Sequence, residues 1–264
     1  MPELEGKVAI VVGGGQTPGE TIGNGRATAL QFARDGARVV VADRLLTSAE
    51  ETAEMIRGEG GDAIAVDADV TSEESLQAMI RRAHEYGERI DILHNNVGIS
   101  IAGGDARVED IDVEAFDKVT NVNLRGMVLA CKHVLPIMRE QNSGVILNIS
   151  SMAAWKAYPL IGYKTTKVGV IALSEQLAAQ NARYNIRVNT ILPGLMNTPM
   201  AIESRVAQGT PREEVVAMRD KQVPLGRKMG SAWDVAYAAA FLASDKAGFI
   251  TGVSLPVDGG ASVT

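Results

Sequence analysis

The chain has 264 residues, of which 46% are hydrophobic, 22% charged and 4% aromatic. This suits one large α/β domain or at most two small ones, built around Val, Ile, Leu, Ala and Met, and excludes a disordered chain. A net charge of -6 without any basic tract argues against a nucleic-acid partner.

Lys7 to Val12 reads as a buried strand that runs into a glycine-rich loop. Gly25 to Asp35 reads as a helix closed by Gly36, and Ala37 to Ala42 as a second strand ending at Asp43. Ser48 to Arg57 is helical, with a Gly58-Glu59-Gly60-Gly61 stop, and Ala63 to Val66 is a third strand. Thr71-Ser72-Glu73-Glu74 marks a helix start, with carboxylates at the positive end of the helix. Ile90 to His94 is a fourth strand, Val113 to Glu140 holds two long helices, and Gly144 to Ile149 is a fifth strand. Thr165 to Ala182 is a helix, Ile186 to Leu192 a sixth strand, Ala232 to Ala243 a helix and Ser254 to Val257 a last strand.

Strands and helices alternate to the end, which means crossover units and a parallel sheet covered on both faces. No linker or repeat divides the chain, so one domain spanning 1–264 is expected. Its least regular stretch, Leu195 to Gly230, carries three prolines and several glycines and reads as a long loop acting as a substrate lid. The N-terminus has no signal-peptide core, and no charge-free apolar run reaches the ~18 residues of a membrane span. A cytoplasmic protein without a membrane partner is expected. Cys131, the single cysteine, lies in an apolar stretch and reads as a core thiol.

Glycines between the first strand and helix, Gly13-Gly14-Gly15 and Gly23-Asn24-Gly25, let the backbone approach a pyrophosphate at a helix N-terminus. Alone this is a weak sign, because turns collect glycine for steric reasons. The second strand strengthens it by ending at Asp43, eighteen residues past Gly25. A carboxylate there accepts hydrogen bonds from adenosine ribose hydroxyls and repels a 2′-phosphate, which favours NAD. Arg44 beside it could do the opposite and cradle that phosphate.

Tyr163 and Lys167 lie four apart at a helix start, on one face. A phenol titrates near ~10; a neighbouring ammonium and an oxidised nicotinamide ring lower that value. The tyrosine can then exchange a proton with an alcohol or ketone oxygen. Such a pair also arises by chance, but none of the other four tyrosines has a lysine at plus four.

These pieces, with Asp69-Val70, Asn95-Asn96-Val97-Gly98, Asn121-Val122-Asn123, Ser150-Ser151, Pro193-Gly194, Thr198 and Val257-Asp258-Gly259-Gly260, resemble the short-chain dehydrogenase/reductase family in order and over nearly the whole chain. The resemblance implies a Rossmann-like, doubly wound parallel sheet of about seven strands, NAD as cofactor, a small-molecule substrate and a homotetramer. It implies Tyr163 as general acid/base, Lys167 holding the nicotinamide ribose, Ser151 bonding the substrate oxygen and Asn123 holding a relay water. Gly13, Gly14, Gly15, Ile22, Asn24, Asp43 and Arg44 would line the adenosine and pyrophosphate, with Asp69 and Val70 at the adenine. Asn95, Val97 and Gly98 would flank the ribose. Pro193 and Gly194 would border the cofactor, and Met196, by its backbone, and Thr198 would hold the nicotinamide carboxamide.

Three departures stand out. The glycine turn holds about five extra residues before Ile22, as in divergent enoyl reductases, but the wider tyrosine–lysine spacing of those enzymes is absent here. Ser151 is one residue closer to Tyr163 than usual, which leaves Ser150 as an alternative. Val97 replaces a small alanine. His84, His94 and His133 form no metal-ligand pattern, so no metal is expected, and His94 reads as packing more readily than as a cofactor contact. Trp155, Tyr158, Ile101 and Met200 flank the expected substrate cavity. The tetramer is expected through the helices near 112–140, where Val122, Met127, Val128, Val134 and Met138 form an apolar stripe that faces a partner or the sheet. The leading reading is an NAD-dependent alcohol dehydrogenase or ketone reductase. The alternatives are an NADPH-dependent 3-oxoacyl-carrier-protein reductase, which Asp43 disfavours, and a non-enzymatic nucleotide-sensing scaffold, which the complete catalytic set disfavours.

Overall fold

β1 (Val8–Val12) is apolar and buried at every position, as a strand covered on both faces must be. In the computed structural model, which describes residues 3–264, it occupies the middle of one seven-stranded sheet. The other strands are β2 (Arg38–Asp43), β3 (Ala63–Asp67), β4 (Ile92–Asn95), β5 (Gly144–Ile149), β6 (Ile186–Pro193) and β7 (Ser254–Val257). They run in the order β3-β2-β1-β4-β5-β6-β7, and every pairing is parallel. The order reverses between β1 and β4, where a doubly wound sheet opens a crevice at its carboxyl edge.

Alternate strand residues feed two cores. Ala9, Val11, Val39 and Val41 pack under α1 (Asn24–Arg34), α2 (Leu46–Gly58) and α9 (Ala232–Ala243), against Leu30, Phe32, Ile56 and Val235. Ile10, Val12 and Val40 face the other way, towards α3 (Glu73–Gly87), α5 (Gly126–Gln141) and α6 (Ile161–Asn181), where Leu76, Met79, Val134 and Met138 meet them. The expected start of α3 is present: the Ser72 side chain accepts from the Ser75 N–H at 3.2 Å.

Met127, Val134 and Met138 of the apolar stripe are thus core residues on the sheet side, and only Val128 turns outward, 41% exposed. The two expected helices over 113–140 form one nearly continuous rod. α4 (Val113–Thr120) passes into α5 through a π-helical turn, Asn121–Arg125, with helical backbone angles throughout. α6 starts four residues earlier than the sequence suggests, at Ile161.

The stretch from Leu195 to Gly230 is not a bare loop. It folds into α7 (Pro199–Val206) and α8 (Arg212–Asp220) around a small core of Ile202, Val215, Val223 and Met229. Its ends lie side by side: Met196 bridges Gly230, the Asn197 N–H donates to the Gly230 carbonyl at 2.8 Å and the Gly230 N–H to the Leu195 carbonyl at 3.1 Å.

Candidate active site

The crevice begins at the glycine turn. Gly13 takes φ +80°, and its N–H and that of Gly14 both donate to the Ala42 carbonyl, so the chain doubles back at the end of β1. Gly25 lets α1 approach: a Cβ there would sit 1.8 Å from the Gly13 carbonyl oxygen, which no side chain survives. The extra residues of the turn are folded by Gln16, whose side chain donates to the Thr21 carbonyl at 3.1 Å and accepts from the Gly23 N–H at 2.9 Å. Ser48 and Thr52 of α2 close the turn from below, on Gln16 and on the Gly14 carbonyl. Its tip reaches the lid, where Arg212 pairs with both Glu20 and Glu203.

Asp43 ends β2 beside this turn. Its two carboxylate oxygens accept from the Gly15 and Leu45 N–H groups, each at 3.1 Å, so it is held in one orientation. Arg44 is exposed, and its charge acts on Asp69. Asp69 is capped by the Thr71 N–H and hydroxyl, which hold its carboxyl below the usual range. Val70 abuts the start of α5 closely enough that a Cβ on Gly126 would meet its carbonyl at 2.8 Å. Ile22 and Val97 are half-buried along the same turn.

At the end of β4 the Asn95 side chain is 2% exposed and donates to Asn148 Oδ1 on β5 at 2.8 Å, and Asn148 in turn donates to Ser174 of α6. It ties two strands and a helix together. The next residue, Asn96, reaches the glycine turn instead, its amide donating to the Gly13 carbonyl at 3.1 Å. His94 is fully buried, edge-on to Phe32 at 5.9 Å, and burial pushes it down to about 3. It is a neutral packing residue. Cys131 is buried beside Asn95, with its thiol pushed up to about 12.

The reactive groups gather at the carboxyl ends of β4 and β5. Tyr163 lies in the first turn of α6, its ring 5.6 Å from that of Tyr158. Lys167, one turn on, is 2% exposed; its ammonium donates to the Ile149 carbonyl at 2.8 Å and sits 5.5 Å from the Tyr163 ring centroid. A Cβ on Gly98 would come within 3.1 Å of that ammonium, so glycine here gives the lysine room. Burial pushes Lys167 down to about 8 and Tyr163 up to about 12, the Ser151 hydroxyl opposing the latter by hydrogen bonding to the phenol. One of the Lys167 protons goes to the Ile149 carbonyl, and burial is the largest influence on the phenol.

The two serines separate cleanly. Ser150 is 1% exposed and donates to the Lys167 carbonyl at 2.7 Å, whereas Ser151 accepts from the Ala153 N–H and meets Tyr163. Asn123 lies in the π-helical turn, fully buried. Its amide brackets the β4 loop, accepting from the Ile99 N–H at 2.7 Å and donating to the Ile99 carbonyl at 2.8 Å. Such turns often mark functional positions.

β6 closes the crevice. Gly194 is pressed against Asp258 and donates to the Val257 carbonyl, Pro193 ends the strand, Met196 is 5% exposed, and Thr198 precedes α7 without spending its hydroxyl on a cap.

This edge has the character of a dinucleotide site. Among the buried side-chain atoms without a partner are Thr21 Oγ1, Ser100 Oγ and Asn197 Oδ1, in loops along it, and Asn24 Oδ1 at the first residue of α1. Buried polar atoms are rarely left alone unless a ligand meets them. The bare glycine backbone and the free N-terminus of α1 complete the fit.

A family model described as enoyl-(acyl carrier protein) reductase matches residues 20–262. The 2,5-dichloro-2,5-cyclohexadiene-1,4-diol dehydrogenase of Sphingobium indicum is 38% identical, over 98% of each chain. Levodione reductase of Leifsonia aquatica is 35% identical over 97% of this chain and 94% of its own. A crystal structure from Burkholderia xenovorans, assigned to the short-chain dehydrogenases/reductases, superposes with a TM-score of 0.94 at 37% identity, covering 100% of this chain and 99% of that one. The chain is a short-chain dehydrogenase/reductase.

Membership makes it an oxidoreductase that uses a nicotinamide dinucleotide, NAD or NADP. No helix among the described residues is long and apolar enough to cross a membrane. This short-chain dehydrogenase/reductase also uses Asp105, which sequence reasoning missed. Buried in the loop after β4, it accepts from the Gly162 N–H at 2.9 Å and the Tyr163 N–H at 2.7 Å. It thereby caps the helix that carries Tyr163. A lone carboxylate in an irregular loop carries no motif that could have revealed it.

Proposed function

We propose that this chain interconverts a secondary alcohol and its ketone with NAD as the hydride partner. The observation that carries the reading is the cluster of Tyr163, Ser151 and Lys167 beside the glycine turn. When bound, the nicotinamide supplies or accepts the hydride and, when oxidised, a positive charge. Tyr163 donates or takes the proton at the substrate oxygen, Ser151 orients that oxygen, and Asn123 fixes the β4 loop against Lys167 and keeps a route for a relay water. With its phenol near 12, Tyr163 is held as an acid, ready to protonate a ketone oxygen. To act as a base it needs added positive charge beside it.

Glycines 13–15, Ile22, Asn24, Asp43, Asp69, Val70, Val97 and Gly98 would hold the adenosine half. Lys167, Pro193, Gly194, Met196 and Thr198 would hold the nicotinamide half. NAD is favoured over NADP by Asp43, fixed by two backbone N–H groups where a 2′-phosphate would stand. The relatives named for a diol and a diketone support alcohol–ketone chemistry. Enoyl reduction, in the family description, is disfavoured by the four-residue Tyr163–Lys167 spacing. Outward-facing Val128, Val168, Tyr237 and Phe241 support a homotetramer, which we place in the cytoplasm.

The test is an alcohol and ketone panel followed at about 340 nm with NAD and NADP, using wild type and Tyr163→Phe. Turnover should fall at least ~10²-fold in the variant while its folding and NAD affinity persist. Turnover near that of wild type would overturn the reading.

A further inference from the structure

Arg219 is buried inside the lid and forms no ion pair among the described residues. It is 7% exposed, on the inner face of α8, and its single hydrogen bond among the described residues runs from Nε to the Met229 sulfur at 3.3 Å. A thioether is a weak acceptor, so the fork of terminal nitrogens is left without a partner. The neighbouring acid, Asp220, is already engaged by the Met229 N–H at 2.8 Å. The other charge close enough to act strongly is a like one, Arg205 of α7, whose only side-chain hydrogen bond goes to the Ala201 carbonyl. Neither arginine is in an ion pair among the described residues, although Arg212 on the same helix has two.

A buried charge without a partner costs several kcal/mol, and a lid could fill this position with leucine. The like charge of Arg205 nearby makes the cost larger, which points to a ligand that repays it. The place of Arg219 is set by Met229, on which its Nε rests and which adjoins Gly230, the residue that bridges Met196 at the crevice edge. Tyr158, whose ring is 5.6 Å from that of Tyr163, acts on it from the same side. Arg219 therefore stands on the lid side of the crevice that holds the proton-transferring tyrosine.

We propose that Arg219, assisted by Arg205, binds a carboxylate on the substrate, so that the enzyme acts on a hydroxy acid or keto acid whose reacting carbon lies towards Tyr163. A guanidinium fork matches a carboxylate in a bidentate manner, and the lid closes over the substrate with its charge neutralised. The inference rests on the alcohol–ketone reading above and adds the substrate class to it.

The experiment compares 4-hydroxypentanoate and 5-hydroxyhexanoate with their methyl esters as substrates, in wild type, Arg219→Gln and Arg219→Lys. In wild type kcat/KM should favour one of the acids over its ester at least ~10-fold, with the difference in KM. Arg219→Gln should lower kcat/KM for the acid at least ~10-fold more than for the ester, and Arg219→Lys should recover part of the loss. Calorimetric titration of 4-oxopentanoate and 5-oxohexanoate into the protein loaded with oxidised NAD, a pair that cannot exchange hydride, reads the same site without turnover: at least one should bind wild type and lose affinity in Arg219→Gln. Esters oxidised as well as acids, or keto acids binding both proteins equally or neither, overturn the anion site. The first outcome leaves the alcohol–ketone reading standing; only failure of the whole neutral panel removes that.

Discussion

Lys167→Met should remove a pH dependence of stability that the wild-type protein carries. Lys167 is 2% exposed, with one carbonyl partner, and burial lowers it from the ordinary 10.5 to about 8. Between those values the unfolded chain binds a proton that the folded chain has released. Stability therefore rises with pH there, while the penalty is in full force below about 8. At about 1.4 kcal/mol per pH unit the whole penalty is about 3 kcal/mol, and about 2 kcal/mol of it is relieved between about pH 7.5 and about pH 9.5. Urea unfolding of the cofactor-free protein at those two pH values, at one protein concentration, reads it directly. Wild type should gain about 2 kcal/mol relative to Lys167→Met on going to the higher pH. Tyr163, near 12, stays protonated and does not intrude. Parallel pH responses in the two proteins would show that the ammonium is better solvated than its burial indicates.

Wild type should prefer NAD over NADP at least ~10-fold in kcat/KM, and Asp43→Ala should shrink that ratio by freeing the Gly15 and Leu45 N–H groups and leaving Arg44 unopposed; equal or better efficiency of wild type with NADP refutes this. Ser151→Ala should cut turnover with an unchanged unfolding midpoint, whereas Ser150→Ala, losing a buried hydrogen bond to Lys167, should cost about 1 kcal/mol of stability; the reverse pattern would reassign the two. Light scattering at micromolar concentration should show a tetramer, and a 28.0 kDa particle would reject the assembly.

The sheet was legible because its strands are apolar on both faces and end at marked residues, Gly13, Asp43 and Ser150 among them. The lid was not, because its helices are punctuated by the residues that signal loops. Pro199 opens α7, Pro211 precedes α8, and Gly209 takes φ +97° between them. The π-helical turn at Asn123 leaves no trace in composition, since a changed hydrogen-bond register needs no special residue. Within the site, Tyr163 and Lys167 could be found by spacing. The division of labour between Ser150 and Ser151 depends on which hydroxyl meets the Lys167 carbonyl, and Asn95's turn into the core depends on its strand neighbour. Both are facts of three-dimensional proximity. The same holds for Asp105, which meets Tyr163 across more than fifty residues of chain.

The stretch from Leu195 to Gly230 leaves the end of β6, leads on to α9 and is clasped at its base by Met196 and Gly230. Between them it is an excursion with its own small core, touching the rest of the chain through Arg212 on Glu20 and the Leu225 N–H on the Gly259 carbonyl. The entropy of closing such a loop grows only slowly with its length. Changes of length between α7 and α8 should therefore cost little to the sheet and to α6, which carries Tyr163 and Lys167.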